Sequence, residues 1–274
     1  MNPLTALRRR LGKDPAAGQG RQFQNAPAQR HLEEQLARAK GVLDLGSGPN
    51  PVAGATAAVD LFLGADQRSH GAGGSIDPAA LATRGVRFVN QSIDQPLPFA
   101  DGEFGFVYSS HVIEHVDNPG RACDEMMRVG KTGLVRCPSA MAEYMYGREY
   151  HRWLVLQRGG RLVFVEKTRD EHGLFGSSQA REAATINPFE ALLDWAGEQP
   201  STGSNRIIAR LRSRLQGLFY GRAPQSEVNL FWEGGFRWVE LRCDGTVRQG
   251  GRPGQQHAFT EAGERQDFAA GAAP

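Results

Sequence analysis

The stretch Val42-Leu43-Asp44-Leu45-Gly46-Ser47-Gly48-Pro49-Asn50 (VLDLGSGPN) decides the fold. Four residues of a short apolar run lead directly into a turn with two closely spaced glycines. Glycine at such a place lets the backbone turn sharply and approach a ligand at the carboxyl end of the strand. The dinucleotide pattern G-x-G-x-x-G fails, because Pro51 stands where its third glycine belongs. The phosphate-cradling P-loop fails too, since no Gly-Lys-Ser/Thr follows. Asp60 closes the next apolar run, where a carboxylate can accept both hydrogen bonds of a ribose diol.

Outward from this turn, apolar runs recur at Gly41–Leu45, Thr56–Leu61, Val86–Asn90, Phe104–Ser110 and Gly133–Cys137. The stretches between them are long enough for crossovers, notably Asn118–Val129, where Pro119 can occupy the first helical turn. Arg30–Lys40 has helical spacing at Leu32, Leu36 and Ala39, and Gly41 ends it. Strands alternating with helices predict right-handed βαβ units and a parallel sheet. The expected fold is therefore α/β: a Rossmann-like, doubly wound, mostly parallel sheet with helices on both faces and C-terminal additions for substrate.

Val155–Lys167 reads as a hairpin about Arg158–Arg161, and Phe231–Leu241 as a last strand. Arg206–Tyr220 is a candidate amphipathic helix. Residues 1–27 are rich in Gly, Gln, Pro and Arg and are expected to be flexible. From Cys243 onward few apolar residues remain, and a disordered tail over 243–274 is expected. That leaves 28–242 as the folded domain, with 31–139 facing a cofactor and 140–242 an acceptor.

The chain has 274 residues, a formal net charge of +2 and 40% hydrophobic residues. So small a charge argues against a nucleic-acid surface. Its three cysteines, Cys123, Cys137 and Cys243, show no C-x-x-C spacing, so neither a disulfide framework nor a zinc ribbon is indicated. No apolar h-region follows Arg8–Arg10 and no apolar run has membrane-spanning length, so a soluble, cytoplasmic chain without stable membrane insertion is expected.

A second stretch raises a rival. His111-Val112-Ile113-Glu114-His115 is the H-x-x-E-H pattern of an inverted zinc protease. That reading needs His111 and His115 on one helix, a third ligand such as Glu182 or Glu190, and Glu114 as base. The preceding FGFVYSS reads as a buried strand, which places His111 before the helix. No metal is expected on these grounds.

Taken together, these segments resemble the class I S-adenosylmethionine-dependent methyltransferases, in their ubiquinone-biosynthesis-like (type 11) branch. VLDLGSGPN is similar to the first motif of that family and AAVDLF to its second. NQSIDQPLPFADGEFGFVYSSHVIEHVDNPGRACDEMMRV is similar to the region from its third strand through the helix after its fourth. The resemblance implies S-adenosyl-L-methionine as cofactor. It implies that Asp44, Gly46, Ser47 and Gly48 hold the methionine end, Asp60 the ribose, and Ile93 with Ser92 or Asp94 the adenine. Two departures are Asn50, in place of a third glycine, and Ser92, near the usual place of an adenine-contacting aspartate.

The reaction implied is transfer of a methyl group to an oxygen or nitrogen of a small-molecule, glycan or lipid-linked acceptor. A fold that binds without turnover is the alternative. His111, at the strand end, is a candidate base or wall residue, and His151 is a second candidate base. Glu114 is expected to make local contacts and His115 to pack. Tyr144, Tyr146, Tyr150 and Trp153 suit an acceptor pocket or a packed lid. Arg206, Arg210 and Arg214 suit a solvated helix face or an acceptor phosphate. A homodimer is compatible with the apolar side of the same segment.

Overall fold

In the computed structural model, VLDL forms β1 (Val42–Leu45), buried throughout, with a parallel strand on each side. The structure describes residues 26–67, 74–140, 142–143, 150–167, 227–259 and 264–268. Helix α1 (Ala26–Arg38) precedes β1, and β2 (Ala57–Asp60), α2 (Pro78–Thr83) and β3 (Arg87–Asn90) follow. The chain then crosses back to β4 (Phe104–Ser110), α3 (Pro119–Val129) and β5 (Gly130–Pro138). β6 (Trp153–Arg158) and β7 (Arg161–Glu166) form the expected hairpin. β8 (Glu227–Glu233), β9 (Arg237–Leu241), β10 (Val247–Gly251), β11 (Gln255–Phe259) and β12 (Arg265–Phe268) complete the described chain.

The large sheet has the order β12-β11-β8-β5-β4-β1-β2-β3. Its β3-β2-β1-β4-β5 half is parallel, while β8 runs antiparallel to β5 and β11 antiparallel to β8. This is the doubly wound sheet that the alternating pattern predicts. Both faces are covered, which explains why its strands read as continuous apolar runs. Val42, Phe106, Tyr108, Leu134 and Phe231 meet Ala28, Leu32 and Leu36 of α1 on one face. Their neighbours Leu43, Leu45, Val107 and Val135 point the other way, onto Ala122, Cys123, Met126 and Met127 of α3.

Two expectations are corrected. Phe231–Leu241 is not one strand: Gly234 and Gly235 break it, and β8 and β9 enter different sheets. The region after Cys243 is not a disordered tail, since it supplies β10, β11 and β12. Its polar composition reflects edge strands. β10 pairs β9 and β12 pairs β11, so backbone pairing holds strands that bury few side chains. Residues 1–25 and the Arg206–Tyr220 segment lie outside the described residues.

β6, β7, β9 and β10 form a second, four-stranded sheet in the order β10-β9-β7-β6. Trp153, Leu162, Phe164 and Trp238 from this sheet share one core with α3. Gly120, in the first turn of α3, lies under Trp238, and a Cβ there would come within 2.4 Å of the indole. The Gly120 N–H, one of the donors a helix start leaves unpaired, donates to buried Glu240 at 2.7 Å. At the far end of the β5–β8 ladder, Pro138 stands directly opposite Glu227. Among the described residues no helix is long and apolar enough to cross a membrane.

Helix α1 is tied to the sheet by His31, whose Nε2 lies 2.9 Å from His257 Nε2 on β11. Burial lowers the pKa of both rings. Arg265 and then His31 push His257 further, to about 4, against Asp267. Arg265 and Arg38 act likewise on His31, against Glu34. The folded state therefore binds fewer protons than the unfolded chain between pH ~6.5 and ~4. Stability from this pair is present above that window and is lost as pH falls through it. A loss of about 1–2 kcal/mol is expected, discounted for the partial exposure of both rings. Urea midpoints at pH 7 and pH 5 should show it, and His257→Gln should flatten the difference.

Candidate active site

The carboxyl ends of β1 and β2 meet beside the point where the chain turns from β3 back to β4. In open α/β sheets that switch point is where ligands bind. Gly46 and Gly48 both have positive φ, 70° and 58°, as the sharp turn requires. The Gly46 and Ser47 N–H groups donate to Val59 O at 2.8 and 3.2 Å, pinning the turn to β2. Asp60 closes it from the other side: its Oδ2 accepts from Gly48 N–H at 2.8 Å and its Oδ1 from Phe62 N–H at 3.0 Å. Asp44 is 1% exposed and accepts from Val52 N–H at 2.6 Å. Leu61, Phe62 and Leu63, which follow Asp60, are exposed large apolar side chains that the motif reading passed over.

Ile93 is buried in the core beside this region. Ser92 Oγ donates to Asp94 Oδ1 at 2.6 Å, and Asp94 Oδ2 accepts from the Asn118 N–H and side-chain amide at 3.0 and 3.3 Å. The Asp94 carboxylate thus ties the loop after β3 to the start of α3. This tie holds Asp94 in place beside Ser92.

The H-V-I-E-H motif follows β4 as a turn, not as a helix. His111 has φ 56°, the one positive value on a described non-glycine residue. Its N–H donates to Arg136 O at 2.8 Å. Its ring lies between two carboxylates, Nε2 being 3.2 Å from Glu227 Oε1 and Nδ1 3.6 Å from Glu114 Oε1. Burial opposes charging this ring, but the two carboxylates outweigh it and raise its pKa to about 9. Glu227 in turn accepts two bonds from buried Arg136, at 2.9 and 2.8 Å. Val112 packs so closely over Gly46 that a Cβ on Gly46 would lie 2.0 Å from Val112 Cγ2.

Glu114 is fully buried, and neither carboxylate oxygen has a hydrogen-bond partner. Its carbonyl accepts from the Arg152 and Trp153 N–H groups, at 2.8 and 3.2 Å, which brings the start of β6 against the motif. His115 Nε2 lies 3.8 Å from Glu114 Oε1, and His115 Nδ1 faces Tyr150 O at 3.3 Å. His151 packs edge-on to His115, with ring centroids 4.7 Å apart, and its Nδ1 is bonded to Glu143. Glu143 is also paired with Lys167 at 3.0 Å. Trp153 is fully buried and donates to Val116 O, so it is core and not pocket wall. Tyr144, Tyr146, Glu182, Glu190, Arg206, Arg210 and Arg214 lie outside the described residues.

The predicted residues therefore fall into two adjoining groups: Asp44, Gly46, Ser47, Gly48 and Asp60 at the turn, and His111 and His151 on either side of Glu114. Glu227, Arg136 and Glu143 were missed. Arg136 was legible as a cation within an apolar strand, and Glu227 as a charge opening another. Glu143 had no signal, because its partner His151 lies eight residues away with no motif linking the two.

A glycine turn and two strand-end carboxylates at the switch point are features that ligand sites of open α/β sheets share. Residues 43–135 match the family described as a methyltransferase domain. The chain is 43% identical over 95 residues to an uncharacterized methyltransferase of Mycobacterium sp. (strain JLS), covering 34% of this chain and 35% of that protein. It is 39% identical over 95 residues to an uncharacterized methyltransferase of Mycolicibacterium gilvum (strain PYR-GCK), with the same coverage. The match thus spans about a third of the length of these curated relatives. A Mesorhizobium loti structure named an S-adenosylmethionine-dependent methyltransferase aligns at TM-score 0.32 and 16% identity, over 58% of this chain and 79% of that one.

The carboxylates at the turn fit S-adenosylmethionine: Asp44 suits its ammonium group and Asp60 its ribose hydroxyls. The exposed Leu61–Leu63 surface suits the apolar face of a purine.

Proposed function

We propose that this chain transfers a methyl group from S-adenosylmethionine to an oxygen or nitrogen of a small-molecule, glycan or lipid-linked acceptor. The reading rests on one observation: the Asp60 carboxylate bridges the Gly46–Gly48 turn at the carboxyl ends of β1 and β2. Bound there, S-adenosylmethionine supplies a methyl group on a sulfonium, open to in-line displacement. The work of the chain is then placement. Asp60 holds the ribose diol, the turn carries the methionine end, and the 111–115 turn walls the side from which an acceptor enters. Both ring nitrogens of His111 face carboxylates, so His111 shapes this wall and does not collect the acceptor's proton. The same reading keeps the chain cytoplasmic, without a nucleic-acid partner, and compatible with a homodimer.

The test is calorimetric titration with S-adenosylhomocysteine, followed by a screen of acceptor classes for its release. Micromolar binding is expected, and no binding at that level refutes the reading. His111→Asn, which tolerates positive φ, is expected to keep turnover within about tenfold of wild type. Loss of a true general base costs about 10²–10⁴-fold, and a fall of that size would restore His111 as base.

A further inference from the structure

We propose that Glu114, His115 and His151 form a binding site for one divalent transition-metal ion, with zinc the best match to the donors. One donor atom from each of the three residues lies within 4.8 Å of the others. Two imidazoles and one carboxylate are a recurrent zinc set, and three protein ligands leave a position for water or a ligand oxygen.

Three features separate this cluster from a chance meeting of polar residues. First, Glu114 is fully buried and neither carboxylate oxygen accepts a hydrogen bond, so beside the charge of His111 at 3.6 Å it keeps lone pairs for a cation. His111, at 3.6 Å, is too far to supply that bond. Second, each imidazole is oriented from behind. His115 Nδ1 faces a carbonyl, Tyr150 O, which can only accept, so the proton sits on Nδ1 and the Nε2 lone pair points toward Glu114. His151 Nδ1 is held in the same way by Glu143, itself fixed by Lys167. A carboxylate or carbonyl behind each histidine is the outer shell that metal-bound imidazoles require. Third, the side chain of His115 is 34% exposed, which gives an ion a way in.

Bonds of ~2.0–2.2 Å to one ion draw the three donors closer than they now stand. The H-x-x-E-H reading had the right chemistry with the wrong partner. His151 takes the place that the motif gives to His111, and Glu114 becomes a ligand in place of a base. The proposal depends on these donors alone, so its test separates from that of methyl transfer.

The full chain, stripped with chelator, should be titrated with Co2+, read by its visible ligand-field absorption, and with Zn2+ by calorimetry. One ion per chain is expected in wild type. Glu114→Gln and His151→Ala should each bind at least 100-fold more weakly. The milder Glu143→Gln should fold as wild type and bind 10–100-fold more weakly, as loss of an outer-shell partner does. His31→Gln, which removes half of the other histidine pair, should leave affinity unchanged. Absence of binding by wild type, or equal affinity in wild type, His151→Ala and Glu143→Gln, overturns the proposal.

Discussion

Gly46→Ala is expected to abolish binding of S-adenosylhomocysteine and to destabilise the fold by about 2–4 kcal/mol. The backbone at Gly46 has φ 70°, where a side chain alone costs roughly 1–2 kcal/mol. The added methyl would also lie 2.0, 2.7 and 2.9 Å from Cγ2, Cγ1 and Cβ of Val112. Val112 is branched, and its backbone is held on both sides, by His111 N–H on Arg136 O and His115 N–H on Val112 O. The methyl therefore has no free space to claim, and overpacking of this kind costs about 1–3 kcal/mol. Relief requires the turn and the 111–115 segment to part, which opens the crevice proposed for the cofactor. Calorimetry should show affinity at least 100-fold below wild type. Gly54→Ala is the control: its φ is 82° and nothing lies within 4 Å of the added atom, so it carries strain alone and should keep ligand affinity. Wild-type affinity in Gly46→Ala would dissociate the turn from the site.

Glu227→Ala should cost about 3–5 kcal/mol in urea unfolding, the largest single loss expected around His111. Arg136 is 4% exposed and donates both its bonds on this flank to Glu227. Burial works against the Arg136 charge and the Glu227 carboxylate compensates, so the pKa of Arg136 stays raised. Removing the carboxylate leaves a cation in a medium that cannot solvate it, with His111 losing a partner at the same time. The cost comes from the orphaned charge, not from the pair itself. Arg136→Met combined with Glu227→Leu should therefore be much milder than Glu227→Ala alone, because well-packed apolar residues often replace such pairs at little cost. A double variant as unstable as the single one would show that packing, and not charge, sets the loss.

The parallel half of the sheet was legible because its strands lie between two helical layers and so read as unbroken apolar runs. VLDL and FGFVYSS, buried almost throughout, are the clearest cases. β10 and β12 were not legible, since an edge strand draws its order from backbone pairing and VRQGG or RQDF carry no apolar face. In the site, Asp44, Gly46, Gly48 and Asp60 could be found because turn geometry and strand ends constrain them locally. The histidine cluster could not. Its members come from separate elements, and adjacency in H-x-x-E-H suggested a His111–His115 pair that the positive φ of His111 breaks. Asp94, which the resemblance assigns with Ser92 to the adenine, also accepts from Asn118, a partner twenty-four residues on that no local pattern signals.

The pairing of Pro138 with Glu227 has a consequence for how such a chain can diverge. Residues 139–226 leave and re-enter the large sheet at two facing positions of one ladder. Their ends are therefore pinned together however long the stretch is. Each doubling of a flexible connection pinned in this way costs only about 0.6 kcal/mol of closure entropy. Added length in this stretch, kept clear of β6 and β7, therefore costs the parallel half of the sheet little, whereas a single methyl on Gly46 meets Val112 at 2.0 Å. Length and sequence between these two fixed posts, outside β6 and β7, can thus drift while the parallel half is inherited intact.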